Sequence, residues 1–155
     1  MNTNEGLAYE LLRFNAYMLT FARSHLGDIL NVNGKANQGS LTMQQLNFLF
    51  QIESCGKITV SDLAKALTLS KSSTSLSIGQ MVNKGYLQRE TCNNDGRYVY
   101  ISLTETGTAL LNETKNKMME KTSAILSLED SSKQKELYHH LQAINQIIFT
   151  GGQTK

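Results

Sequence analysis

The stretch TVSDLAKALTLSKSSTSLSIGQMVNKG, Thr59 to Gly85, decides the fold. It holds two short helical patterns with almost nothing between them. In the first, Thr59 and Asp62 have the spacing of a capping pair, with Ile58 and Leu63 as the flanking apolar staple, and a helix is predicted from Val60 to about Leu67. Thr68-Leu69 forms the turn. Ser70 is the next N-cap, and a second helix is predicted from Lys71 to about Asn83. Lys84-Gly85 closes it, with Gly85 suited to the left-handed backbone that follows a helix end. This second helix is odd in composition: in Ser70-Lys71-Ser72-Ser73-Thr74-Ser75-Leu76-Ser77, every residue but Leu76 is a hydroxyl residue or lysine. Serine and threonine are indifferent helix formers, so propensity does not account for the run. Leu69, Leu76, Ile78, Met81 and Val82 are expected to keep a buried side, which argues against a serine-rich linker. Short hydroxyls at a helix start, beside its free amides, suit contact with phosphates.

Downstream the period changes from helix to strand. Tyr86 to Thr91 and Tyr98 to Leu103 read as two strands, the second alternating Val99, Ile101 and Leu103 against Tyr98, Tyr100 and Ser102. Asp95-Gly96, inside Cys92-Asn93-Asn94-Asp95-Gly96-Arg97, is a hairpin signal. Arg97 at such a tip has no core role. A planar guanidinium suits a narrow, electronegative minor groove, and Asp95 could preorganise it by a bidentate pair. The alternative is an ordinary turn carrying a surface ion pair worth under about 1 kcal/mol.

Upstream, Leu7, Leu11, Phe14, Met18, Phe21 and His25 recur at steps of four and three, predicting a long first helix that fades by Ile29-Leu30. An Asn- and Gly-rich segment, residues 31–40, reads as a loop. Thr42 and Gln45 form a capping box for a second helix that ends at Cys55-Gly56, with Leu46, Leu49, Phe50 and Ile52 as its buried face. After the hairpin, Thr104 can cap a fifth helix reaching about Leu126. A sixth carries Leu137, Leu141, Ile144 and Ile148. The fold class expected is mainly α with a β-hairpin wing (α+β): two short helices, a supporting helix before them and a hairpin after them, which is the plan of a winged helix-turn-helix.

The chain has 155 residues, 40% hydrophobic and 18% charged, an ordinary globular composition in a length expected to form a single domain. Between Lys57 and Leu103 lie six basic residues (Lys57, Lys65, Lys71, Lys84, Arg89, Arg97) and three acidic ones (Asp62, Glu90, Asp95), a net +3 against +2 for the whole chain. A basic centre suits a polyanion-binding module. No apolar run is long enough to span a bilayer and no secretion signal is visible at Met1-Asn2-Thr3-Asn4-Glu5, so no membrane partner and a cytoplasmic location are expected. Cys55 and Cys92 form no CxxC pair, and His25, His139 and His140 do not cluster with acids, so neither a metal site nor a cofactor is expected. No catalytic triad, carboxylate pair or phosphate loop can be placed, and an enzyme is not expected.

Several pieces in order resemble the MarR family of bacterial transcription regulators: Leu41-Thr42-Met43-Gln44-Gln45, Val60-Ser61-Asp62-Leu63-Ala64-Lys65-Ala66-Leu67, Leu69-Ser70-Lys71-Ser72-Ser73, Lys84-Gly85-Tyr86-Leu87-Gln88-Arg89, Asp95-Gly96-Arg97 and Leu103-Thr104-Glu105-Thr106-Gly107. The resemblance implies a homodimer held by N- and C-terminal dimerisation helices (residues 1–30 and 104–150), with a winged helix-turn-helix lobe over residues 41–103. It also implies a repressor that binds a pseudo-palindromic operator in double-stranded DNA and responds to a small-molecule effector. It places DNA contacts on Lys71, Ser72, Ser73 and Ser75, on Arg97 with Asp95 in support, and on Arg89 in the strand. Gln80 could read adenine through its amide. The chain departs from the family at Leu76, where a long polar residue is common, and at Gly79. For an organic effector, Phe14, Tyr17, Phe21, Phe48 and Ile52 are candidate lining residues, each of which could equally be plain core. Two other readings stand beside this one: a redox-responsive regulator acting through Cys92, and a winged helix used for protein–protein contacts.

Overall fold

The computed structural model describes residues 2–30, 41–91 and 98–151. The elements run α1 (Thr3–His25), α2 (Met43–Cys55), β1 (Lys57–Thr59), α3 (Val60–Ala66), α4 (Lys71–Asn83), β2 (Leu87–Thr91), β3 (Val99–Leu103), α5 (Glu105–Leu126) and α6 (Ser131–Gly151). The chain divides into two compact units, Met1–Met118 and Met119–Lys155.

Local chemistry sets the boundaries of these helices. Asn2 and Glu5 form a full capping box at the start of α1, and Thr42 and Gln45 form the one expected at α2. In α3 the pair differs in detail. The Thr59 hydroxyl accepts from the Asp62 amide at 3.1 Å and donates to the Asp62 carboxylate at 2.7 Å. Gly56, at φ 70°, ends α2. At the end of α4 the Tyr86 amide donates to the Met81 carbonyl at 3.0 Å and the Gly85 amide to Val82 at 2.9 Å. With Gly85 at φ 76° this is a Schellman closure, which turns the chain directly into β2.

The sheet has three antiparallel strands in the order β1-β3-β2. Leu87 pairs with Leu103, Arg89 with Ile101 and Thr91 with Val99, while Ile58 of β1 pairs with Ile101 from the other side. β1 has no counterpart in the sequence reading, because three residues are too few to display alternation and Ile58 is already spoken for as a helix staple. Val99 also differs from expectation. It shares the side of Ile101 but is exposed, because the core does not reach that far along the hairpin.

Leu41, Leu46, Phe48, Leu49 and Ile52 pack with Leu63, Ile78, Met81, Leu87, Ile101 and Leu111 in one core, closed from the α1 side by Ala22, Leu26 and Leu30. Two expected core positions lie elsewhere. Phe50 is 40% exposed and carries the Lys115 ammonium 5.2 Å above its ring, while Lys115 also pairs with Glu53 at 2.6 Å. Phe48, one turn before Ile52, takes the buried place instead. Leu76 is 69% exposed; the inner face of α4 is filled by Thr74, Ile78 and Met81.

In the second unit, Asp130 caps α6 through the amides of Ser132 and Lys133, each at 2.9 Å. The Gln134 side chain donates to the carbonyls of Leu126 and Glu129 across the turn, at 3.1 and 2.8 Å. Among the described residues, no helix is long and apolar enough to cross a membrane.

Candidate nucleic-acid interface

The geometry of α4 follows from its junction with α3. Thr68 takes a left-handed backbone, φ 54°, a conformation that costs a residue with a Cβ roughly 1–2 kcal/mol. The Leu69 amide reaches back to the Ala64 carbonyl at 2.8 Å and holds the turn closed. This tight reversal sets α4 against α3 with Thr74, Ile78 and Met81 inward. The opposite side presents Ser72, Ser75, Leu76, Gly79, Gln80 and Asn83, which line one open groove. Their spacing is that of a single helical face.

The hydroxyls of the serine run divide into two sets. The Ser70 hydroxyl accepts from the Ser73 amide at 3.2 Å and lies 2.7 Å from the Ser73 hydroxyl, which also reaches the Ser70 carbonyl at 3.1 Å. Thr74 is buried and donates to the Ser70 carbonyl at 2.9 Å. These three therefore build the helix start. Ser75 faces outward, and so does Ser72, whose hydroxyl also lies 3.3 Å from that of Ser70; Lys71 and Gln80 are exposed beside them. Of the four hydroxyl and lysine contacts expected near the start of α4, Ser73 is exposed but has its hydroxyl turned into the cap. Arg89 is exposed on β2, two residues beyond buried Leu87. Asp95, Arg97 and Cys92 lie outside the described residues. Asn83 was missing from the sequence expectations; its place eleven residues after Ser72, on the same helical face, was the available signal.

The five candidate effector-lining residues fall into different surroundings. Phe48 and Ile52 are fully buried in the core of the lobe. Phe21 is half-buried against that core and stacks on His25 with ring centroids 4.7 Å apart. Phe14 and Tyr17 are exposed on α1, where the Arg13 guanidinium lies 5.6 Å from the Tyr17 ring. The Tyr17 hydroxyl and then Glu10 raise the Arg13 pKa further above its ordinary value. Cys55 is exposed and free, with the Gln51 side-chain amide 3.7 Å from its sulfur.

Comparison with known proteins agrees with this architecture. The MarR family model matches residues 41–99. An HTH-type transcriptional regulator of Bacillus subtilis, YwhA, itself uncharacterised, is 38% identical over 52 residues, covering 34% of this chain and 37% of that protein. The match thus spans little more than a third of the relative's length. A MarR family protein from Bacillus stearothermophilus superposes with a TM-score of 0.74 at 22% identity, over 96% of this chain and 99% of that one. FabT of Streptococcus pneumoniae, solved in complex with DNA, gives 0.67 at 18% identity, over 90% and 98%. At these identities the structural likeness is one of fold. The segment 41–99 is thus similar in sequence to the MarR family model, and the fold is that of the solved MarR family proteins.

Proposed function

We propose that this chain is a sequence-specific DNA-binding transcription regulator. One observation carries the reading: α4, the second helix of a helix-turn-helix, turns to solvent a face of mainly small hydroxyl and amide side chains (Ser72, Ser75, Gln80 and Asn83) around Leu76 and Gly79. Such a face lets the helix backbone approach the floor of a major groove, while Lys71 and Ser72 at its start meet phosphates. Arg89 on β2 and Arg97, supported by Asp95, act along the flanking backbone and in the minor groove. Net basicity between Lys57 and Leu103 supports the same reading.

The chain acts as a homodimer on a pseudo-palindromic operator. Leu7, Leu11, Phe14 and Met18 form an apolar stripe on α1 and are all more than a third exposed, a surface that association would cover. The dimerisation helices are residues 1–30 and 104–150, and the DNA-binding lobe is residues 41–103. Its regulatory role is repression released by a small organic effector, and the exposed aromatic residues Phe14 and Tyr17 beside Phe21 supply apolar chemistry for such a ligand.

Selection of bound duplexes from a random pool, followed by gel shift with salt titration, tests the reading. Enrichment of an inverted repeat, bound more weakly as salt rises, supports it. Recovery of no preferred sequence overturns it.

A further inference from the structure

Leu76 is the most exposed large apolar side chain among the described residues of the lobe, at 69%. The fold does not require it there. The inner face of α4 is already filled by Thr74, Ile78 and Met81, each buried. Leu76 sits in the middle of the outward face, with Ser72 one turn before it, Gly79 and Gln80 one turn after it, and Ser75 alongside. At Gly79 an added Cβ would meet nothing within 4 Å. The glycine therefore leaves open space on one side of Leu76, one turn on, with exposed Gln80 on the other side.

On a face that meets DNA, a lone apolar side chain among hydroxyls and amides gains from an apolar partner within the same surface. Only one base edge in the major groove offers that chemistry, the C5-methyl group of thymine; all other groups there are hydrogen-bond donors and acceptors. The open space at Gly79 allows close approach, and Gln80 is placed to take an adjoining adenine by its amide. We infer that Leu76 is a specificity-determining residue that reads thymine through its methyl group. This inference rests on the DNA-binding reading above and deepens it.

The experiment uses the full-length protein and a duplex chosen by selection, with each thymine replaced singly by deoxyuridine in both half-sites. That change removes the methyl and leaves the hydrogen-bonding edge intact. Burial of one methyl corresponds to about a fourfold change in affinity per half-site. The expected result is a loss of about that size at one symmetric pair of positions, abolished in Leu76→Ala and retained in Leu76→Met. Replacement of cytosine by 5-methylcytosine at the same pair, in a duplex carrying cytosine there, should raise affinity for the wild-type protein and for Leu76→Met but not for Leu76→Ala. Tight binding that is indifferent to every thymine methyl overturns this inference and leaves the DNA-binding reading intact, as does an unchanged deoxyuridine penalty in Leu76→Ala. Failure to select any duplex overturns both.

Discussion

Gly107, the third residue of α5, lies directly against the backbone carbonyl of Tyr86, where α4 gives way to β2. Around this contact the Thr104 hydroxyl donates to the Gly85 carbonyl at 2.6 Å and accepts from the Gly107 amide at 2.9 Å. The Thr104 amide donates to Tyr86 at 3.1 Å. The end of α4 is thus joined to the start of α5 by backbone and a single hydroxyl, and the junction is closed only because residue 107 has no Cβ.

Gly107→Ala tests that junction. A Cβ would collide with backbone, which cannot swing aside as a flexible side chain would. Overpacking of this kind costs about 1–3 kcal/mol, and the Tm should fall by several degrees in thermal unfolding followed by circular dichroism. An unchanged Tm would mean that α5 can shift away from Tyr86 freely.

The serine run should separate into structural and binding members. Ser70→Ala removes the cap of α4 and should cost about 1 kcal/mol in denaturant unfolding. Ser75→Ala, on the outward face, should change stability by less than about 0.5 kcal/mol while weakening operator binding about three- to tenfold, the worth of one hydrogen bond. Equal effects of the two substitutions on stability would contradict this division.

Arg97→Ala should weaken binding to every operator variant by a similar factor, because a groove probe of this kind reads shape and charge. The dependence of log Kd on log salt should become shallower by about one counterion per protomer. Parallel salt plots for the two proteins would remove Arg97 from the interface.

Leu7→Glu combined with Leu11→Glu places charge on the apolar stripe of α1. Both side chains are exposed in the single chain, at 55% and 38%, so the protomer should keep its helical content. Sedimentation velocity should then show a monomer, with cooperative operator binding lost. A sedimentation coefficient equal to the wild-type protein's would take this stripe out of any interface.

The sequence by itself determined the order of helices, the turn between α3 and α4 and the resemblance to a family model over residues 41–99. These depend on local chemistry: the Thr42–Gln45 box, the Ser70 cap and Gly85 after α4 act within a few residues of one another, and the matched pieces occur in sequence order. Tertiary structure decided which side of each helix is buried. Periodicity placed Phe50 and Leu76 with the core, yet Phe48 and Thr74 hold those places, because the direction from which the sheet and the neighbouring helix approach selects the buried arc, and that direction is not written into one helix. The hydroxyls of Ser73 and Ser75 look alike in sequence; only the fold turns the first into the helix cap and the second toward the groove. The same long-range packing made β1, three residues held in place by Ile101, and made Gly107 necessary, since nothing near it in sequence shows that Tyr86 lies against it.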